Sequence, residues 1–201
     1  MIKRKILMFL LATVILSGCG MYKSLMNLSK LKFKLESVNN FKVSGIPVSD
    51  KSKLSDFNPL DLVKLTSQVA QGNLPVDFTL NVSAKNPNPE AVHGSSTDIK
   101  IVSFPWRLYI DDKETISGNI SEPVTVPGGN KTSIIPLQIN MNLMEFFSNS
   151  NLESLINLAL KLGGGEGAAS HIKLIARPVL DTPIGNITYP GDLTIVDYTY
   201  K

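Results

Sequence analysis

The stretch FTLNVSAKNPNPEAV, residues 78–92, constrains this chain more than any other. Just before and within it, Val76, Phe78, Leu80, Val82 and Ala84 occupy every second position, with Asp77, Thr79, Asn81, Ser83 and Lys85 between them. Successive side chains of a strand point to opposite faces, so this alternation buries one face and wets the other, as a half-buried antiparallel strand requires. It stops at Asn86-Pro87-Asn88-Pro89. A residue before proline is pushed toward extended backbone and proline has no N–H, so two Asn-Pro steps keep the chain extended while ending its ladder. Asparagine side chains then supply the missing local backbone partners. Taken alone, Asn86, Pro87, Asn88 and Pro89 read as a strand exit.

The rest of the body repeats the theme. Leu31, Phe33 and Leu35 alternate with lysines, and Val38, Phe41 and Val43 continue the pattern across a break at Asn39-Asn40 that predicts a bulge or turn. Similar runs cover 98–103, 106–110, 114–120, 124–126, 133–141, 171–176 and 193–200. Turn signals separate them: Asp111-Asp112, Pro127-Gly128-Gly129-Asn130, residues 183–186 and Pro190-Gly191-Asp192. Short strands at this spacing predict a mainly β fold, an immunoglobulin- or fibronectin-III-like antiparallel β-sandwich. Two accessory helices interrupt it. Asn58 is placed to cap the first, Pro59 suits its first position, Leu62, Leu65 and Val69 share a face, and Gly72 stops it. The second opens on Ser150-Asn151-Leu152-Glu153, a capping-box spacing that makes Ser150 the cap. Its stripe is Leu152, Leu155, Ile156, Ala159 and Leu162, and Gly163-Gly164-Gly165 ends it. Neither helix has a polar face rich in Lys or Arg, so both stripes read as packing faces rather than membrane-surface helices.

The N-terminus says where the body resides. Lys3, Arg4 and Lys5 precede the apolar run 6–16 and then Leu16-Ser17-Gly18-Cys19, the charged, apolar and small-residue order of a secretory signal. The run is shorter than the roughly 18–20 residues needed to span a bilayer. Leu-Ser-Gly-Cys resembles a lipobox, which implies cleavage between Gly18 and Cys19 and acylation of Cys19; the bland alternative is a buried thiol in an uncleaved anchor helix. The expected organisation is a lipoprotein signal peptide over 1–18, a lipidated tether over 19–30 and the sandwich over 31–201. The partner so implied is a lipid bilayer, reached through acylated Cys19, and Gly20 after the cysteine favours an outer membrane with the protein facing the periplasm. Cleavage removes three of the 20 Lys and Arg residues and none of the 17 acids, leaving equal numbers of each sign. A balanced mature body argues against nucleic acid as a partner and against anionic-surface binding as its main task. Cys19 is also the chain's one cysteine, which excludes disulfides and cysteine-based zinc sites.

The string LPVDFTLNVSAKNPNP, the small residues Gly94-Ser95-Ser96, a strand pair over 99–110 and then ISGNISEPVTVPGGNKTSIIPLQINM together resemble the late embryogenesis abundant (LEA) type 2 family and its water-stress and hypersensitive-response domain, the WHy domain. The likeness is good over 74–141 and loose over 31–200, where ARPVLDTPIGNITYPGDLTI resembles the closing strands. Two helices and a Gly-rich loop longer than a minimal domain needs resemble bacterial lipoprotein members more than plant ones. The resemblance implies a sandwich without catalytic residues, with Asn86, Pro87, Asn88 and Pro89 as its structural motif.

Signals for chemistry are sparse. His93 and His171 belong to no recognised nucleophile or metal spacing. Gly163-x-Gly165-x-x-Ala168 mimics a dinucleotide fingerprint but follows a helix instead of a strand, so a loop explains it. Asp111-Asp112 fits a hairpin turn better than calcium. Trp106, after Phe104-Pro105, is either core or an aromatic ligand platform. No cofactor, metal or enzymatic activity is expected. Three functions remain open: an envelope lipoprotein protecting its neighbours in desiccation or osmotic stress, a module binding another envelope protein through an open sheet edge, and a carrier of an apolar ligand between the sheets.

Overall fold

A computed structural model describes residues 31–89, 97–162, 171–182 and 185–199. Among the described residues, twelve strands run in the order β1 (Lys32–Val43), β2 (Ile46–Pro47), β3 (Pro75–Lys85), β4 (Ile99–Ser103), β5 (Trp106–Ile110), β6 (Lys113–Gly118), β7 (Val124–Val126), β8 (Thr132–Asn142), β9 (His171–Ala176), β10 (Val179–Thr182), β11 (Gly185–Thr188) and β12 (Leu193–Thr199). Helix α1 (Pro59–Ala70) lies between β2 and β3, and α2 (Leu143–Phe146) and α3 (Leu152–Leu162) lie between β8 and β9. The strands form three four-stranded antiparallel sheets, β2-β1-β3-β8, β11-β10-β4-β7 and β12-β9-β5-β6. This is a β-sandwich with accessory helices, as the alternation predicts.

The strand that most constrained the sequence is also the one the first sheet is built around. β3 pairs with β1 on one side and, without a register shift from Pro75↔Asn142 to Lys85↔Thr132, with β8 on the other. Val76, Phe78, Leu80, Val82 and Ala84 are all buried, joined by Ile101 and Leu180 of the second sheet and Leu108, Ile110 and Leu174 of the third. Burying each large apolar side chain stabilises the fold by ~1.5–3 kcal/mol. Phe41 of β1 stacks on Phe78 with ring centroids 4.8 Å apart, and Phe33 meets Phe104 at 5.6 Å.

The second and third sheets follow one another along the chain: β4 leads into β5 through Phe104-Pro105, and β9 into β10 through Arg177-Pro178. Neither proline can donate to a ladder, so both strands break at the same level and one layer becomes two sheets. The Arg177 amide still donates across the break to Pro105 O at 2.9 Å.

Turns fall where their residues predict. Asp111 and Asp112 have φ of 50° and 62°, and Gly129 and Asn130 have 76° and 62°. Asn40 sits at φ 56° within an irregularity in the β1–β3 register between Asn39 and Lys42. Helix α1 begins as expected: Asn58 Oδ1 accepts from the Asp61 amide at 2.9 Å. Ahead of it, a 3-10 turn at Leu54–Asp56 is held by Asp56, whose Oδ2 accepts from the amides of Ser52 (2.8 Å) and Lys53 (3.1 Å); these bonds keep its carboxyl below the ordinary value.

Helix α3 corrects the reading of its start. Asn151, not Ser150, is the cap, its Oδ1 accepting from the Ser154 amide at 2.8 Å. The two residues cap about equally well, so Asn151, adjacent to the first helical residue, takes the position. Four further differences are local. The run over 114–120 stops at Gly118, β2 and α2 have no counterpart in the sequence reading, and β10 and β11 flank residues 183–184 within what reads as turn.

Candidate functional site

One end of the sandwich collects the Asn-Pro-Asn exit of β3, the entry to β4 and the exit of β7. Beyond the last β3–β8 pair, the Asn86 amide donates to Lys131 O at 3.0 Å. The Asn86 side chain then turns inward and is fully buried, and Asn88 is 1% exposed. Asn86 Nδ2 donates to Thr97 O (2.9 Å) and Val126 O (3.0 Å), while its Oδ1 accepts from the backbone N (3.1 Å) and Nδ2 (2.8 Å) of Asn88. Asn88 O accepts from the Gly129 amide at 2.6 Å. One carboxamide therefore ties the exit of β3 to the paired strands β4 and β7 of another sheet, to which no ladder connects it.

Gly128 belongs to this node, and nothing beyond a turn signal marked it in the sequence. A Cβ there would lie 2.0 Å from Thr97 Oγ1 and 3.1 Å from Pro89 O. That hydroxyl donates to Pro89 O at 2.6 Å, so a side chain at position 128 would break a bond holding the exit in place. Pro87 is half-buried and Pro89 exposed, closing the outside of the turn. Asp98 Oδ1 also accepts from the Gly128 amide at 3.1 Å, so the node's bonds run from side chains to backbone and between amides; what it can do is hold loops together.

The remaining candidates are also placed. His171 opens β9 and is brought to the Asp111-Asp112 turn: its amide donates to Asp111 Oδ1 at 2.8 Å, and its Nδ1 lies 3.1 Å from Asp112 Oδ1. This pins a hairpin turn to the neighbouring strand; Asp112 is 83% exposed, and a pair so wet contributes little to stability. Among the described residues no group of three His, Cys, Asp or Glu side chains could hold a metal ion. Trp106 is 3% exposed, a core residue whose indole lies over Gly118, where a Cβ would meet Cζ2 at 2.5 Å. The platform alternative has no exposed ring face to rest on. Residues 18, 19 and 93, together with the glycine run at 163–165 and Ala168, lie outside the described residues.

Two cavities border the third sheet. One of about 440 Å³ opens at the bend between the second and third sheets. Beside it, Asp192 holds both Arg107 Nη2 (2.6 Å) and Arg177 Nε (3.0 Å), an ion bracket between the third sheet and the β9–β10 connection. The other, of about 40 Å³, lies between the sheets among Leu35, Phe78, Leu80, Leu108, Leu174 and Val196. Benzene needs an apolar cavity of ~150 Å³, so this space admits no acyl chain without opening.

No family model matches the chain, and no curated protein matches it. Among solved structures, a crystal structure of a protein from Archaeoglobus fulgidus is similar at 15% identity, covering 62% of this chain and 86% of that one, with a TM-score of 0.35. The solution structure of a candidate late embryogenesis abundant (LEA) protein is similar at 17% identity, covering 94% of this chain and 84% of that one, with a TM-score of 0.41. At such identities and TM-scores neither likeness says what this chain does.

Proposed function

We propose that this chain is a non-enzymatic envelope lipoprotein, held on the outer membrane and facing the periplasm by acyl chains on Cys19, whose LEA type 2-like sandwich protects neighbouring components in desiccation or osmotic stress. One observation carries the domain part of this reading. The motif on which the LEA type 2 resemblance turns, Asn86 to Pro89, is a buried fastening with each asparagine at 1% exposure or less, so a non-reactive structural role accounts for its chemistry. The anchoring part is supported by the order of charge, apolar run and Leu-Ser-Gly-Cys at the N-terminus. Two long acyl chains suffice for stable attachment, since each buried methylene contributes ~0.8 kcal/mol. Among the described residues no helix is long and apolar enough to cross a membrane.

Metabolic labelling with radioactive palmitate tests the anchor. The expected result is label in the chain, lost in Cys19→Ser, with the substituted protein released from the membrane fraction. Drying a labile enzyme beside the purified mature chain tests the protective role: recovered activity above that given by an equal mass of serum albumin supports it, and no difference sinks it.

A further inference from the structure

The balanced charge of the mature body conceals an uneven distribution. Leu31 begins the described chain at the same end of the sandwich as the Asn-Pro-Asn exit, because Lys32 pairs with Lys85. On the outer face of the first sheet at this end, two adjacent rows cross three strands: Lys32, Lys85 and Thr132, then Lys34, Ser83 and Ile134. Lys32 and Lys85 stand directly opposite one another, an arrangement that is destabilising in water and that anions close by would relieve. Ile134 is one of the few large apolar side chains exposed among the described residues, at 45%. Together these groups line a shallow groove of about 700 Å³. Its one carboxylate, Glu36, is bonded to Lys34 at 2.8 Å. The other end carries the acidic turn Asp111-Asp112 and Glu145, near which Lys113 Nζ donates to Phe146 O at 3.3 Å.

We propose that this face, Lys32, Lys34 and Lys85 around Ile134, rests on the anionic lipid headgroups of the membrane that carries the anchor. Cations beside one exposed apolar side chain suit the headgroup boundary, where charge meets phosphate and the apolar group reaches the first methylenes. The chain leading into β1 brings it there. From Cys19 to Leu31 is 12 residues, which span at most ~40 Å fully extended, and Lys23 and Lys30 on that stretch add the same sign. The orientation rests on the anchoring reading; the affinity of the surface does not.

The test separates the two. Residues 19–201 carrying Cys19→Ser retain every described residue and cannot be acylated. This protein is sedimented with vesicles of phosphatidylethanolamine alone or mixed with phosphatidylglycerol. Expected is binding to the mixed vesicles only, released by high salt. Replacing Lys32, Lys34 and Lys85 by Gln weakens it on the order of 100-fold, given a roughly fivefold contribution from each lysine near such a surface. Replacing Lys42, Lys53 and Lys64, exposed residues elsewhere on the molecule, leaves it unchanged, and neither triple variant falls below the parent's thermal midpoint because the side chains are solvated. Absence of binding to the mixed vesicles, equal binding to both vesicle types, or equal loss in the two triple variants overturns the proposal. If palmitate labelling fails while lysine-dependent binding holds, the anchor falls and the surface stands. If labelling succeeds and vesicle binding is absent, the anchor stands and the surface falls.

Discussion

Asn86 shows how much one buried carboxamide can hold. Its donor and acceptor atoms take part in four bonds, two to backbone carbonyls of Thr97 and Val126 and two from Asn88. Truncation leaves those carbonyls and the Asn88 amide buried without that partner, at ~1–3 kcal/mol for each group left unsatisfied. Asn86→Ala is therefore expected to lower unfolding free energy by at least about 3 kcal/mol in urea titration. Asn86→Asp should cost as much, since a carboxylate cannot donate to the two carbonyls. A loss within the ~0.5–2 kcal/mol range of an exposed cap would mean that the node is looser than its geometry. Gly128→Ala attacks the same node from the opposite side, by displacing the Thr97 hydroxyl. The sequence marks the asparagines as partners for nearby backbone, but Thr97 and Val126 lie 11 and 40 residues away. Only the fold brings them there.

At the scale of elements, what the sequence reveals depends on length and on having one buried face. β3 and β8, each of 11 residues, show their alternation plainly. β2, at two residues, has no period to read, and β10 and β11, at four each, barely have one. The start of α3 is ambiguous in the sequence because two adjacent residues can each cap it, which gives a direct check: Asn151→Ala should cost ~1 kcal/mol and Ser150→Ala no more than about 0.5 kcal/mol, both by thermal denaturation. Asn58→Ala at α1 should match the former. The edge of the first sheet yields another prediction. β8 pairs with β3 without a shift, so Pro136, which has no N–H, must occupy a position whose nitrogen faces away from β3. It thereby removes a donor from the middle of the exposed edge and discourages another strand from adding there. Pro136→Thr restores that donor, and the variant is expected to self-associate at concentrations where the parent is monodisperse in light scattering. Unchanged dispersity would show that the edge is protected by something other than the proline.

For the whole molecule, the question is whether three sheets behave as one body. The breaks at Pro105 and Pro178 divide the second sheet from the third, yet β4 and β5 are consecutive, as are β9 and β10, and the buried residues of all three sheets belong to one apolar cluster. Shared core implies shared stability, because neither half of the broken layer can lose the first sheet without exposing side chains such as Ile101 and Leu108. The chain supplies its own probe. Trp106, its one tryptophan, sits at the break, so its emission reports the bend while far-UV dichroism reports strands throughout. With residues 19–201 carrying Cys19→Ser, the two signals should trace a single coincident transition in urea, and refolding should be free of disulfide exchange since no cysteine remains. An emission change preceding the loss of dichroism would mean that the prolines separate the layer mechanically as well as in hydrogen bonding. The Asp192 bracket to Arg107 and Arg177 then becomes the element to test, since it fastens Arg177, in the connection at that break, to the third sheet. Asp192→Asn should pull the two curves further apart if the layer is divided, and leave them superimposed if the common core dominates.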